Sequence, residues 1–321
     1  MPPSRRRRGL SVRLGIQTAQ YGAELTDLLE VWLGAERLGF RSAWLMDHFV
    51  PVVAPSTEPM LESWTALSAL LAQTSTIRGG VLVSANTFRH PAVLARMAAT
   101  VDRLSGGRLE VGLGAAWNAD EHRANGVPFP STRHRLEMLD EACQVLRLLW
   151  TQPEADFDGR HYRLDRAACE PKPLQAHLPL LLGGRGERRT LRTVARYADR
   201  WNGSGSVAML SHSVEILRDH CAAVGRDPRT ISLTVMNDFH LTSDPAEAQR
   251  RLARAATFRH LSPDEVRPRV WIGGPAELAE LIGGFSAAGF DEAILGLGPP
   301  YGPQTIEMLE ATRAALGEDG S

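Results

Sequence analysis

The sequence predicts an α/β protein folded as a (β/α)8 TIM barrel, and three observations carry that expectation. Eight short apolar runs alternate with helical segments along the chain. The runs are continuously apolar rather than alternating, as strands covered by helices on both faces must be. Several of them stop in polar or Gly-rich residues, which is where a parallel barrel gathers its functional groups. A doubly wound sheet is the competing arrangement on periodicity alone.

Val12 to Gln17 reads as the first strand. The helix after it buries a stripe of Leu25, Leu28, Leu29, Trp32 and Ala35. Thr26 is its expected cap, and Gly39 supplies the left-handed residue that stops it. Ser42 to Met46 forms the second strand and ends in Asp47-His48-Phe49. A Pro-rich loop (Pro51 to Pro59) precedes a helix from Ser63 to about Thr74. The third strand spans Gly79 to Ala85, and His90-Pro91 opens a helix with Leu94, Met97, Ala98 and Val101 on one face. The fourth strand, Arg108 to Gly114, runs on into Ala115 to His122, a loop or early helix. A periodic helix with Leu136, Leu139, Cys143, Leu146 and Trp150 follows.

Between Thr151 and about Leu178 the pattern breaks, and Phe157 to Tyr162 suggests a small hairpin turning at Asp158-Gly159. This is an insertion after the helix that follows strand 4, because the barrel rhythm then resumes. Pro179 to Leu182 is the fifth strand and leads into Gly183-Gly184-Arg185-Gly186. The sixth lies around Asp199 to Asn202, the seventh at Ile231 to Val235 and the last at Glu292 to Gly296. Asp244-Pro245-Ala246-Glu247 has the order of an N-cap, a first-turn Pro and a capping-box Glu, and Gly274 to Glu277 resembles it. The expected organisation is a basic arm over 1–11, one barrel domain over 12–316 and a tail over 317–321.

Composition removes several function classes. With 321 residues, 43% hydrophobic content and a formal charge of −1, the chain has no global field directed at nucleic acid or an anionic membrane. The Arg5–Arg8 run is read as a solvated arm. No apolar segment resembles a secretory signal or approaches the ~20 residues of a membrane span. Three widely spaced cysteines, Cys143, Cys169 and Cys221, suit reduced thiols in a cytoplasmic protein.

The strand ends are the functional signal, since a barrel brings them to one mouth. Asp47-His48 can act as an acid/base pair, and a capping role is its bland alternative. The glycines from Gly183 to Gly186 let the backbone approach an anion ahead of a helix, unless they form an ordinary tight connection. The segment fits neither G-x-G-x-x-G nor the Walker pattern, so NAD and nucleoside triphosphates are not indicated. Asp120-Glu121-His122, with His90 and His134, lacks metal-ligand spacing and is expected to be a solvated loop. No G-x-S-x-G is present, and no cysteine lies near a base, so acyl transfer has no support.

Taken together, several stretches resemble the bacterial-luciferase-like superfamily, and within it the coenzyme F420-dependent oxidoreductases. They are Ala35 to Phe40 leading into Trp44 to Phe49, Arg89-His90-Pro91, Asp102 to Arg108, Gly112 to Asn118 with Glu121-His122, Leu182 to Gly186, Ala198 to Asn202 and Ala288 to Glu292. The resemblance implies a barrel whose mouth holds F420, or alternatively FMN, and a small-molecule substrate, in a homodimer. It places Asp47 and His48 beside the ring, with His48 handling a proton. It puts a bulge, often with a non-proline cis peptide, near Val83-Ser84 to support the ring. The backbone of Gly183, Gly184, Arg185 and Gly186 would bind the cofactor phosphate, with Asn202 and Trp117 completing the wall. The family's sugar-phosphate dehydrogenases carry a catalytic Glu where this chain has Trp117, which speaks against a glucose-6-phosphate-type reaction. An FMN-linked monooxygenase using reduced flavin and oxygen, and a non-catalytic flavin-binding protein, are the two alternative readings.

Overall fold

The structure, a computed structural model, describes residues 12–52, 54–259 and 261–317. The basic arm and the tail beyond 317 lie outside these residues.

In chain order the first elements are β1 (Arg13–Thr18), α1 (Leu25–Arg37), β2 (Ser42–Leu45), α2 (Ser63–Gln73), β3 (Arg78–Val81), β4 (Ser84–Ala85) and α3 (Pro91–Leu104). Next come β5 (Leu109–Gly114), α4 (Ala119–Ala124), α5 (Thr132–Thr151), β6 (Ala155–Asp158), β7 (Arg163–Ala167), β8 (Leu180–Gly183), α6 (Thr190–Tyr197) and β9 (Arg200–Gly203). The chain finishes with α7 (Val207–Ala223), β10 (Ser232–Leu241), α8 (Pro245–Arg259), α9 (Pro263–Val266), β11 (Val270–Gly273), α10 (Pro275–Ala287), β12 (Glu292–Leu297) and α11 (Pro303–Ala315).

Eight parallel strands close on themselves in the order β12-β1-β2-β3-β5-β8-β9-β10, and β10 returns to β12. This is the (β/α)8 barrel, and the eight sequence-predicted strands are its staves. The insertion forms the antiparallel β6–β7 hairpin, with Gly159 N–H bonded to Tyr162 O (2.9 Å), so the turn lies just beyond the expected Asp158-Gly159. The helices wrap the outside because each has one apolar stripe. In α1 that stripe is Leu28, Val31, Trp32 and Ala35, and the Trp32 indole N–H also bonds Thr18 Oγ1 at 3.0 Å.

Inside the barrel, Trp44, Leu82, Leu181 and Ile294 form their own cluster with Val83 and Met236 against it. Trp44 fits only because β3 offers Gly80 beside it. A Cβ there would sit 2.7 Å from the indole and 2.2 Å from the Glu110 carbonyl. Below this layer the strand starts carry charge. Arg200 bonds both Glu110 and Glu292, Arg41 reaches Glu110 (2.9 Å) and Glu292 (3.3 Å), and Arg78 Nε reaches Glu110 at 2.6 Å. Burial alone would push the Glu110 carboxyl up. The surrounding Arg200, Arg41 and Arg78 outweigh it and hold the pKa at about 2.

Four local expectations change. Helix α1 starts one residue before Thr26, and Asp27 accepts the Glu24 N–H (2.9 Å), so Thr26 is not the cap. Strand β10 runs ten residues, past Val235, because its second half pairs with β11. That ninth parallel strand was not visible in the sequence. Asp244 Oδ1 does accept Ala246 N–H (2.9 Å), but Glu247 turns to Thr242, His240 and Arg251 instead of closing a capping box.

Candidate active site at the barrel mouth

A cavity of about 1470 Å³ opens at the C-terminal ends of the barrel strands. It exceeds the roughly 300–1,000 Å³ of a single small-ligand site. The sequence-predicted Asp47, His48, Val83, Ser84, Trp117, Gly183, Gly184, Arg185, Gly186 and Asn202 all line it. The barrel gathers them because β2, β4, β5, β8 and β9 end at the same rim.

Asp47 is 5% exposed, and its carboxylate is already taken by protein donors. Arg89 grips it with two N–H groups at 2.7 and 3.0 Å, Ser63 Oγ donates at 2.8 Å, and the Ala85 N–H donates at 2.9 Å. That anchoring fastens the end of β2 to β4 and α2, while Asp47 still lines the cavity.

Beside it the chain bends at β3. The Leu82–Val83 peptide is cis, one bond before the expected Val83-Ser84 position. Leu82 O accepts from Gln17 Nε2 at 2.8 Å, and Ser84 Oγ accepts from the Trp64 indole at 3.0 Å. Val83 reaches across to β5 and β8, where a Cβ on Gly114 or Gly183 would come within 2.6 or 2.9 Å of its side chain.

His48 meets Glu121 of α4, with Nδ1 2.9 Å from Oε2. Sequence reading expected Asp120 to His122 to be a solvated loop. Instead Glu121 is 3% and His122 1% exposed, and α4 is capped by Asn118, whose Oδ1 accepts the Glu121 N–H at 3.2 Å. The legible signal was the spacing of Asn118 and Glu121, a cap followed three residues later by Glu. The other Glu121 oxygen accepts the N–H groups of Phe49 and Val50. Burial would raise the Glu121 pKa, but the hydrogen bond and charge of His48 and these backbone donors hold it below the usual carboxylate value.

Ala116 has a left-handed backbone (φ 59°), which turns the chain just before Trp117. Trp117 is 64% exposed at the rim, and its ring stands edge-on to His48 with centroids 5.7 Å apart. Next to it Phe49 stacks on Phe88 (4.2 Å), and Phe88 packs against His122 (4.6 Å).

On the opposite wall Gly184 takes φ 122°, donates its N–H to Asn202 O (3.1 Å) and receives the Trp201 indole at 2.8 Å. Helix α6 starts at Thr190, beyond a turn, so its first amides are not contiguous with the glycines as expected. Arg185 has no hydrogen bond or ion pair to a described residue. Burial and the nearby Arg269 both press its pKa down. An uncompensated cation at a cavity wall is a natural seat for an anion. Among the described residues, no group of three or more His, Cys, Asp or Glu side chains is placed to hold a metal, and no helix is long and apolar enough to cross a membrane.

Comparison with known proteins agrees with this architecture. The family of luciferase-like monooxygenases matches residues 9–269. An uncharacterized protein of Mycobacterium bovis is 36% identical over 218 residues, covering 63% of this chain and 76% of its own. An F420-dependent glucose-6-phosphate dehydrogenase of Kineococcus radiotolerans is 28% identical over 89% of this chain and 91% of its own. Among solved structures, an F420-dependent secondary alcohol dehydrogenase in complex with an F420-acetone adduct superposes with a TM-score of 0.86 at 22% identity, covering 95% of this chain and 99% of that one.

Proposed function

This chain belongs to the luciferase-like monooxygenase family, and we propose that within it the chain is a coenzyme F420-dependent oxidoreductase acting on a small organic substrate. The observation that carries this reading is His48, which lines the cavity with Nδ1 engaged by Glu121 and no described partner at Nε2. A proton-handling group thus faces a space large enough for a tricyclic ring and a second molecule. The relatives named as F420-dependent support the choice of cofactor.

The residues present suit such a group. Arg185 supplies the unpaired cation for its phosphate, next to the exposed Gly184 and Gly186. Val83, held against the glycines of β5 and β8, and the buried Ser84 offer a firm wall for the ring. Asn202 fixes the Gly184 turn by its backbone and bonds Thr234 Oγ1 at 2.9 Å. F420, once bound, takes up or gives a hydride. His48 then exchanges the accompanying proton with the substrate at Nε2, so that the substrate's two hydrogens are accounted for. Trp117 and Phe88 make the substrate side apolar. A sugar phosphate is therefore not the proposed substrate, although one relative bears that activity in its name. A homodimer in the cytoplasm belongs to the same proposal.

Titration of the purified protein with F420 and with FMN, read by fluorescence, separates the cofactors. Binding of F420 in the micromolar range with weaker FMN binding is expected. Micromolar FMN binding with no F420 response would replace this reading with the flavin monooxygenase.

A further inference from the structure

Glu121 lies outside the residues expected to form the site, yet it makes the one side-chain hydrogen bond that His48 has to a described residue. We infer that Glu121 is a positioning residue: its carboxylate holds a proton on Nδ1 of His48, leaving Nε2 as the atom that exchanges a proton across the cavity. The inference rests on the proposed function for its catalytic consequence, but its geometry stands without it.

Neutral imidazole carries its proton on one nitrogen, and the hydrogen bond at the other decides which. An ionised carboxylate only accepts, so a Glu121 oxygen 2.9 Å from Nδ1 requires N–H there. Three features keep Glu121 an acceptor. Its backbone is capped by Asn118 at the head of α4. Its second oxygen takes the Phe49 and Val50 N–H groups, so it cannot rotate away without stranding them. It is buried, and His48 with the backbone donors holds its pKa below the usual carboxylate value. The same carboxylate ties the loop after β2 to the helix after β5, so that the imidazole is aimed by two strand ends at once. With a deazaflavin bound to accept the substrate's hydride, the Nε2 lone pair would take the accompanying proton, and the imidazolium so formed would lie against the Glu121 carboxylate. In the reverse direction Nε2–H returns the proton.

A glutamine at 121 keeps the size and one acceptor oxygen for Phe49 and Val50. It presents an amide N–H₂ to Nδ1, which then must accept, so the proton moves to Nε2. The site loses its lone pair without losing its shape.

The test is nitrogen NMR of the protein labelled in its histidine rings, titrated to pH 9 without cofactor, with His48 assigned by comparison with His48→Gln. The neutral wild-type ring should carry its proton on Nδ1, and Glu121→Gln should move it to Nε2. In the same variant, kcat with F420 and substrate should fall roughly 100-fold or more, while KM, cofactor affinity and melting temperature stay near wild type. A wild-type ring that keeps Nε2–H to pH 9, or a Glu121→Gln ring still protonated on Nδ1, would overturn the inference. Correct tautomers in a protein that turns over no deazaflavin substrate would instead overturn the proposed function and leave the positioning role standing.

Discussion

The two ends of this barrel treat charge in opposite ways. At the N-terminal end Arg200, Arg41 and Arg78 surround Glu110 and Glu292, so that buried charge there is met by buried countercharge. At the C-terminal end Arg185 stands without a described partner, and His48 presents a nitrogen with none. Even Asp47, which looked like part of the reactive group, belongs in behaviour to the closed end: every donor it needs is supplied by the protein. Satisfied charge holds a shape, and unsatisfied charge awaits a ligand.

The sharpest way to break that contrast is to remove Arg200. Arg200→Met leaves two carboxylates short of their shared partner, and a loss of about 3–5 kcal/mol in unfolding free energy is expected by urea denaturation. A change under ~1 kcal/mol would mean that the bottom cluster is not the structural end. His48→Ala at the mouth should do the reverse. Turnover with F420 should drop by about 100-fold or more, with the urea midpoint hardly moved. Arg185→Ala comes next, with cofactor affinity about tenfold weaker by fluorescence titration, or ~1.4 kcal/mol. A further test is in pH. Because the folded Glu110 pKa is depressed to about 2 from 4.5, its contribution is present above the unfolded value and fades as pH falls from there towards the folded one. Chemical denaturation at pH 6, 4 and 3 should therefore show falling stability, and Glu110→Gln should flatten the slope.

The staves were legible in the sequence because a strand buried on both faces leaves a largely apolar run, as Gly79 to Ala85 and Glu292 to Gly296 do, whereas the ion cluster at the closed end joins charges far apart in sequence and was not. Strand β11 was not, since Val270–Gly273 is short and follows Arg267-Pro268-Arg269, which reads as loop. The mouth was half legible. His48 and the Gly183–Gly186 loop could be found from their position at strand ends. Glu121 was harder to find: the Asn118–Glu121 spacing marks a helix start, but an Asp-Glu-His string looks solvated until α4 turns Glu121 and His122 inward. Its partner lies 73 residues away in sequence, and only barrel closure makes them neighbours. The anchoring of Asp47 was hidden for a related reason: nothing in the local sequence shows that Arg89 and Ser63 will reach it.

The ion cluster at the bottom also sets an order of events for the growing chain. Glu292 opens the last barrel strand, where Arg13 of the first strand pairs with it, and its carboxylate closes on Ser42 and Arg200. While the chain is still emerging, Arg200 can find Glu110 but not its second acid, and β1 has one edge open. Such long-range pairing is slow and leaves a strand edge exposed to other chains. The polypeptide therefore has to extend through β12 before its first strand is sealed, and the window between synthesis of β1 and arrival of β12 is when it most needs protection from aggregation.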